Sequence, residues 1–213
     1  MAVTLADLRS RVKVFLNRTD LANSDIDWSV NKVHGRDGIQ HEITTWYQRK
    51  PSTFATVVGT KSYAVPTDYR DLAAPLWYLD GETRTVMEKV DRIGHAFLYP
   101  DDTDQDVPVA FHIFNGAFFV LDPTPSKVLT INRDYNAILP DLVLTTDTDR
   151  ITDEFELGLV FGASRLLSLQ LGDKDAATYF KGLYDEQRAT LNRTHIFEDE
   201  GGQAIFLPLR GVI

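Results

Sequence analysis

From Ser52 to Ala137 the apolar residues of this chain fall in short extended runs broken by glycine-bearing turns. Parallel strands need a crossover of a dozen or more residues, usually a helix, and the runs read as following one another without one. The middle of the chain is therefore expected to be a series of antiparallel hairpins, a small sheet or sandwich. The strongest signal is "VAFHIFNGAFFVLDPTP", where Asn115-Gly116 suits a type I′ turn because both positions need positive φ. The aromatic and β-branched flanks suit a pleated, half-buried surface. In "LWYLDGETRTVMEKV" the turn is read at Asp80-Gly81. "STFATVVGTKSYAVPTDY" suggests two strands around a Gly-Thr-Lys-Ser turn, and "KVLTINRDYNA" a further strand.

On either side the period changes to that of a helix. Thr4 and Asp7 form a capping-box pattern ahead of Leu5, Leu8, Val12, Phe15 and Leu16, which predicts a helix over 4–17. Ser24 or Asp25 is the expected cap of a second helix running toward Tyr47, with a kink or break at Gly35 and Gly38. After residue 150, Thr152 or Asp153 is expected to cap a helix with Phe155, Leu159, Gly162, Ala163, Leu166 and Leu167 on one side. Gly172 ends it, and a second helix follows with Ala177, Phe180, Leu183, Tyr184 and Leu191 on its stripe. The expected class is α+β: a helical bundle of two N-terminal and two C-terminal helices, with an antiparallel β insertion and an extended C-terminal arm. The boundaries are 1–50, 51–149, 150–193 and 194–213.

Charge and composition remove several functions. The formal charge is −9, and nucleic acid is held chiefly by cations that neutralise phosphates, so tight DNA binding over a broad face is not expected. With no cysteine, disulfides and thiolate metal sites are excluded. The N-terminus alternates apolar and charged residues and does not read as a signal peptide, and no apolar run approaches the ~20 residues of a membrane span.

The catalytic and metal motifs fail one by one. His41-Glu42 begins a zinc-protease string, but Thr45 stands where the second histidine must be. His34 and His41 lack a third ligand, and His95, His112 and His195 have no partners in sequence. Asp102, Asp104 and Asp106 alternate as in a calcium loop, yet Val107 and Ile113 occupy the positions that need Gly and Glu, so a solvated acidic loop is expected. No nucleophile elbow, Walker loop or dinucleotide fingerprint is present. Trp28, Trp46, Trp77, Phe111, Phe114, Phe118 and Phe119 are read as core and sheet packing, because no basic residue is interleaved in the run around 109–122. No enzyme, cofactor or metal is expected.

The chain closes on "DEGGQAIFLPLRGVI". Ordering a free end costs roughly 1–2 kcal/mol per residue in backbone entropy, so an apolar end needs a surface to bury it. Glu198 to Gly202 read as a polar spacer, and Ile205, Phe206, Leu207, Leu209, Val212 and Ile213 as an arm that orders on docking. The receiving surface is this subunit's own core or another protein.

The order of pieces along the whole chain resembles the head-to-tail adaptor (connector, head-completion) proteins of tailed bacteriophages. "TLADLRSRVKVFLN" resembles their first helix, and "SDIDWSVNKV" their second, Asn31 roughly matching its usual Asn. "GTKSYAVPTDY", "GAFFVLDPTP", "RDYNAILP" and "YFKGLYDEQRATL" follow in the family's order, while Gly35 and Gly38 depart from it. The resemblance implies a virion structural protein of the neck, assembled in the host cytoplasm. It would form a homo-oligomeric ring, a dodecamer, between the portal protein and a tail, tail-terminator or nozzle protein. Double-stranded DNA would pass through without sequence-specific binding. The alternatives are a tail-completion or neck subunit one layer further out, or a carbohydrate-binding or hydrolytic domain using the sheet aromatics and the acidic loop.

Overall fold

A computed structural model describes residues 2–98 and 104–199. The chain opens with α1 (Leu5–Phe15), α2 (Asn23–His34) and the short α3 (Ile39–Glu42). Six strands follow: β1 (Arg49–Ala55), β2 (Ser62–Ala64), β3 (Tyr69–Leu72), β4 (Trp77–Asp80), β5 (Thr83–Val86) and β6 (Glu88–Lys89). Next come α4 (Arg92–Leu98), β7 (Gln105–Asp106), β8 (Ala110–Phe114), β9 (Phe118–Asp122), β10 (Thr124–Pro125) and β11 (Thr130–Ala137). The chain returns to helix in α5 (Arg150–Glu154), α6 (Glu156–Gln170) and α7 (Lys174–Asp199). The fold is mixed, helices with predominantly antiparallel sheets. It divides into two compact units: residues 1–47 with 139–213, and residues 48–138.

In the helical unit, Thr4 and Asp7 close the expected capping box on α1, which buries Leu5, Leu8 and Val12 completely. These pack with Ile26 and Val30 of α2, Leu159 and Ala163 of α6, and Phe180, Tyr184 and Leu191 of α7 in one core. Each fully buried aliphatic side chain contributes about 1.5–3 kcal/mol. Gly162 lets α6 approach closely, since a Cβ there would stand 2.7 Å from a Val33 methyl and 3.1 Å from the Tyr184 ring.

Three helix boundaries differ from expectation. Ala22, not Ser24 or Asp25, is the N-cap of α2; Asp25 instead sits in the first turn, where the helix dipole favours an anion. The end of α2 at His34 is the break expected at Gly35 and Gly38; the close turn there requires glycine, since a Cβ on Gly38 would lie 2.0 Å from the Val33 carbonyl oxygen and one on Gly35 2.7 Å from that of Asn31. Asp149 caps the C-terminal helices, with Thr152 as its box partner, and the chain breaks at Phe155 into α5 and α6. Residues 194–199, read as the start of an extended arm, continue α7.

The β unit has one sheet in the order β1-β11-β4-β5, with β3 also on β11, and a second in the order β2-β9-β8-β6. They share a core of Tyr69, Tyr78, Phe111, Phe119, Leu121 and Ile131 among others. The β8–β9 turn has φ of 50° at Asn115 and 66° at Gly116, as anticipated. The β4–β5 turn is displaced by one residue: Asp80 pairs with Thr83, leaving Gly81-Glu82 as the turn, with Gly81 at φ 62°.

β1 and β2 do not pair with each other. β1 runs antiparallel to β11 and β2 to β9, because Thr56 and Gly59 are tied by backbone bonds to Leu129 and Pro125 and the chain changes sheets there. Pro51 is tolerated within β1 because β1 is an edge strand. Two short bridges, β6–β8 and β7–β10, are parallel. The connection between β6 and β8 carries α4, a helix the sequence reading missed.

Candidate assembly surfaces

Side chains of α2 and α3 fasten the chain where it re-enters the helical unit. Asn31 donates its amide to the Leu142 carbonyl and accepts from the Leu142 N–H, both at 2.8 Å. Gln40 makes the same two-way contact with Leu139, its Oε1 accepting from the Leu139 N–H at 2.6 Å. His34, fully buried, meets the Asp149 carboxylate at 2.6 Å. The N-terminus is held alongside: the Val3 N–H donates to Asp153 at 2.6 Å, and the Thr152 hydroxyl to the Val3 carbonyl at 3.0 Å. These contacts order the backbone of residues 139–149, which forms neither strand nor helix.

The cations of this unit are largely engaged by carboxylates. Arg9 grips Asp27 with two bonds of 2.5 and 2.6 Å, Arg11 meets Glu156 at 2.7 Å and Arg188 meets Glu42 at 3.0 Å. The hydrogen bond from Arg18 holds the Asp20 carboxyl down to about 2, and Lys32 and Lys181 lower Asp37 and Asp185 in the same way. Guanidinium and ammonium groups already paired offer little to a phosphate backbone.

The aromatics divide between interior and surface. Phe111 and Phe119 are buried as expected, but Trp28 is 52% and Trp46 47% exposed, correcting their assignment to the core. Trp28 borders an open groove of about 380 Å³ with Lys32, Arg36, Asp37 and Asp141. Trp46 lies under the Arg150 guanidinium, 4.4 Å from its ring centre. At the β8–β9 tip, the cross-strand pair Phe114 and Phe118 is exposed as well. On the helices, Phe161 of α6 meets Phe15 of α1 edge-on at 5.2 Å and stacks on Phe180 of α7 at 6.4 Å. Tyr179 extends the row, 5.5 Å from Phe180. Its ends stand open, Phe15 at 44% and Tyr179 at 64% exposure. Sequence reading missed this row, because only the packing of three helices brings its members together.

Among the described residues no group of His, Asp and Glu is arranged to hold a metal ion. His34 and His41 do not share a helix face: one is buried on α2 and the other exposed on α3. His112, which has no partner in sequence, lies 3.7 Å from the buried Asp122, and Lys61 reaches the same carboxylate at 2.8 Å. In the acidic loop, Asp106 accepts from the Val107 N–H at 2.7 Å, and Asp102 lies outside the described residues. So do Ile205, Phe206, Leu207, Leu209, Val212 and Ile213.

The residues on offer are exposed apolar rings and neutralised charges, the materials of protein–protein contact. The family model of the SU10 adaptor protein matches residues 3–203. The chain belongs to the SU10 adaptor protein family. No curated protein matches it. As a SU10 adaptor protein it is a structural component of a bacteriophage virion, and that role carries contact with portal and tail proteins. Among the described residues of this SU10 adaptor, no helix is long and apolar enough to cross a membrane.

Proposed function

We propose that the protein is one subunit of a closed homo-oligomeric ring, a dodecamer by resemblance, that joins the portal to the tail and encloses part of the DNA channel. The observation that carries this proposal is the family match over residues 3–203, nearly the whole chain. The long helices act as a bundle that lines or braces the channel. Double-stranded DNA passes without sequence-specific contacts, in keeping with the −9 charge and the paired cations. The segment with Ile205, Phe206, Leu207, Leu209, Val212 and Ile213 is the fastening element, ordered against another polypeptide of the assembly. Burying Phe206, Leu207 and Leu209 contributes about 4.5–9 kcal/mol before ordering costs. The role is mechanical and needs no cofactor or reaction.

Native mass spectrometry of the full chain, alone and with purified portal, tests this. A closed ring of copies seated on the portal is expected. A chain that stays monomeric and fails to bind portal at any concentration refutes the proposal.

A further inference from the structure

His34 closes α2 wholly inside the helical unit. Its Nε2 lies 2.6 Å from the Asp149 carboxylate, which can only accept, so that nitrogen carries a proton and donates it. Nδ1 faces the side-chain amide nitrogen of Gln40 at 3.5 Å. The backbone settles which end of Gln40 points there. Its Oε1 accepts the Leu139 N–H at 2.6 Å, and its amide nitrogen turns to the Leu139 carbonyl and the ring. An amide nitrogen donates and does not accept, so Nδ1 is a bare acceptor. The geometry thus holds His34 as the neutral ring with its hydrogen on Nε2.

A second proton, at Nδ1, meets no acceptor among the described residues. The ring is fully buried, and the new N–H would point at an N–H₂ group. Turning the Gln40 amide over offers Oε1 to the ring but sets N–H₂ against the Leu139 N–H. In either arrangement a buried donor is left without its bond, the expensive case for a polar group. Asp149 accepts from Nε2 in both forms of the ring. Its other oxygen takes the Thr152 N–H at 2.8 Å, and the N-terminal end of α5 offsets part of its charge. Nearby, Asp149, Arg150 and Glu154 act on the Tyr47 phenol, and Asp141 stands beside Gly35. Lys32 pairs with Asp37, and Arg188 with Glu42. Among the described residues, Nδ1 is bonded to none of these.

We propose that His34 is a proton-sensitive latch on residues 139–149. Neutral, it lets Gln40 hold Leu139. Carrying a second proton, it competes for the Gln40 oxygen and releases the Leu139 N–H. Asn31 holds Leu142 through an amide that does not titrate, so that tie stays closed. Mild acid therefore opens the beginning of this segment and leaves its middle in place. Histidine ordinarily changes charge between about pH 5 and 8, which sets the window.

Amide exchange of the full chain, corrected for the intrinsic effect of pH on exchange, tests this at about pH 7.5 and about pH 5.5. The Leu139 amide is expected to lose protection about tenfold or more on acidification, while the Leu142 amide changes less than about twofold. Gln40→Glu supplies one oxygen to the Leu139 N–H and another to Nδ1, so in that variant the Leu139 loss is expected to vanish. Nitrogen-15 spectra of histidine-labelled protein, with His34 assigned by difference from His34→Gln, read the ring directly. The native ring is expected to show Nε2 protonated and Nδ1 bare at about pH 7.5, and the Gln40→Glu ring to carry both protons. Four results overturn the proposal: a proton on Nδ1 in the native chain at the higher pH, Leu139 protection unchanged by acid, Leu139 and Leu142 losing protection together, or the native loss persisting in Gln40→Glu. Should Gln40→Glu fail to fold, the measurements on the native chain decide alone.

Discussion

Asn31 serves residues 139–142 as a neighbouring strand would, offering one donor and one acceptor to the backbone of Leu142. Asn31→Leu strands both groups at a buried residue, where each unmade bond costs about 1–3 kcal/mol. The expected loss is about 2–6 kcal/mol of stability by the same bookkeeping, read as a lower denaturation midpoint at unchanged slope; Asn31→Asp, which keeps the acceptor, loses less. Arg133 is a second buried polar group that decides much. Its guanidinium lies 5.2 Å from the Phe54 ring centre and 5.8 Å from that of Phe119, and burial lowers its pKa. Arg133→Ala opens a hole between these rings and is expected to cost about 2–4 kcal/mol, as large-to-small core changes do. Arg133→Met, which keeps the bulk and removes a buried charge, is expected to stay within about 1 kcal/mol of the native protein. Chemical denaturation of the pair separates packing from charge.

At the scale of elements, the start of α1 and the end of α2 each depend on one device. The Thr4 hydroxyl donates to the Asp7 carboxylate at 2.6 Å and holds its pKa below the ordinary 3.8. A carboxyl depressed in the folded state adds stability above its unfolded pKa and loses it as pH falls through the folded value. Asp7→Asn is therefore expected to lower the melting temperature at neutral pH, and that difference should close at pH values below the ordinary carboxylate range. Calorimetry on both proteins across acid pH reads this directly. Gly38 governs the break after α2: Gly38→Ala drives a methyl into the Val33 carbonyl, and overpacking of this kind costs about 1–3 kcal/mol. Circular dichroism should show the helix content kept while thermal stability falls.

On the scale of the whole molecule, charge is spread unevenly. Residues 48–138 hold nine basic and twelve acidic residues, a net −3, and the remainder thirteen and nineteen, a net −6. With the cations of the helical unit largely paired, a duplex finds few sites at which counterions would be released. Fluorescence anisotropy with a labelled duplex at physiological salt is expected to show no binding tighter than about 10⁻⁴ M, the weak end of non-specific affinity. Tight, steeply salt-dependent binding would contradict a channel that lets DNA slide.

The alternation of helical and strand zones, the stripes of α1, α6 and α7, the cap at Thr4 and the turn at Asn115-Gly116 were legible in the chain. Each depends on residues within a few positions of one another, where propensity and period act directly. Family membership was legible too, since it lies in the order of motifs along the sequence. Only the tertiary structure decided that β1 pairs with β11 and β2 with β9, that Arg133 turns inward, that Trp28 and Trp46 face outward, and that Phe15, Phe161, Phe180 and Tyr179 form one row. Those outcomes join residues tens of positions apart, and a side chain's burial depends on neighbours that no local period specifies.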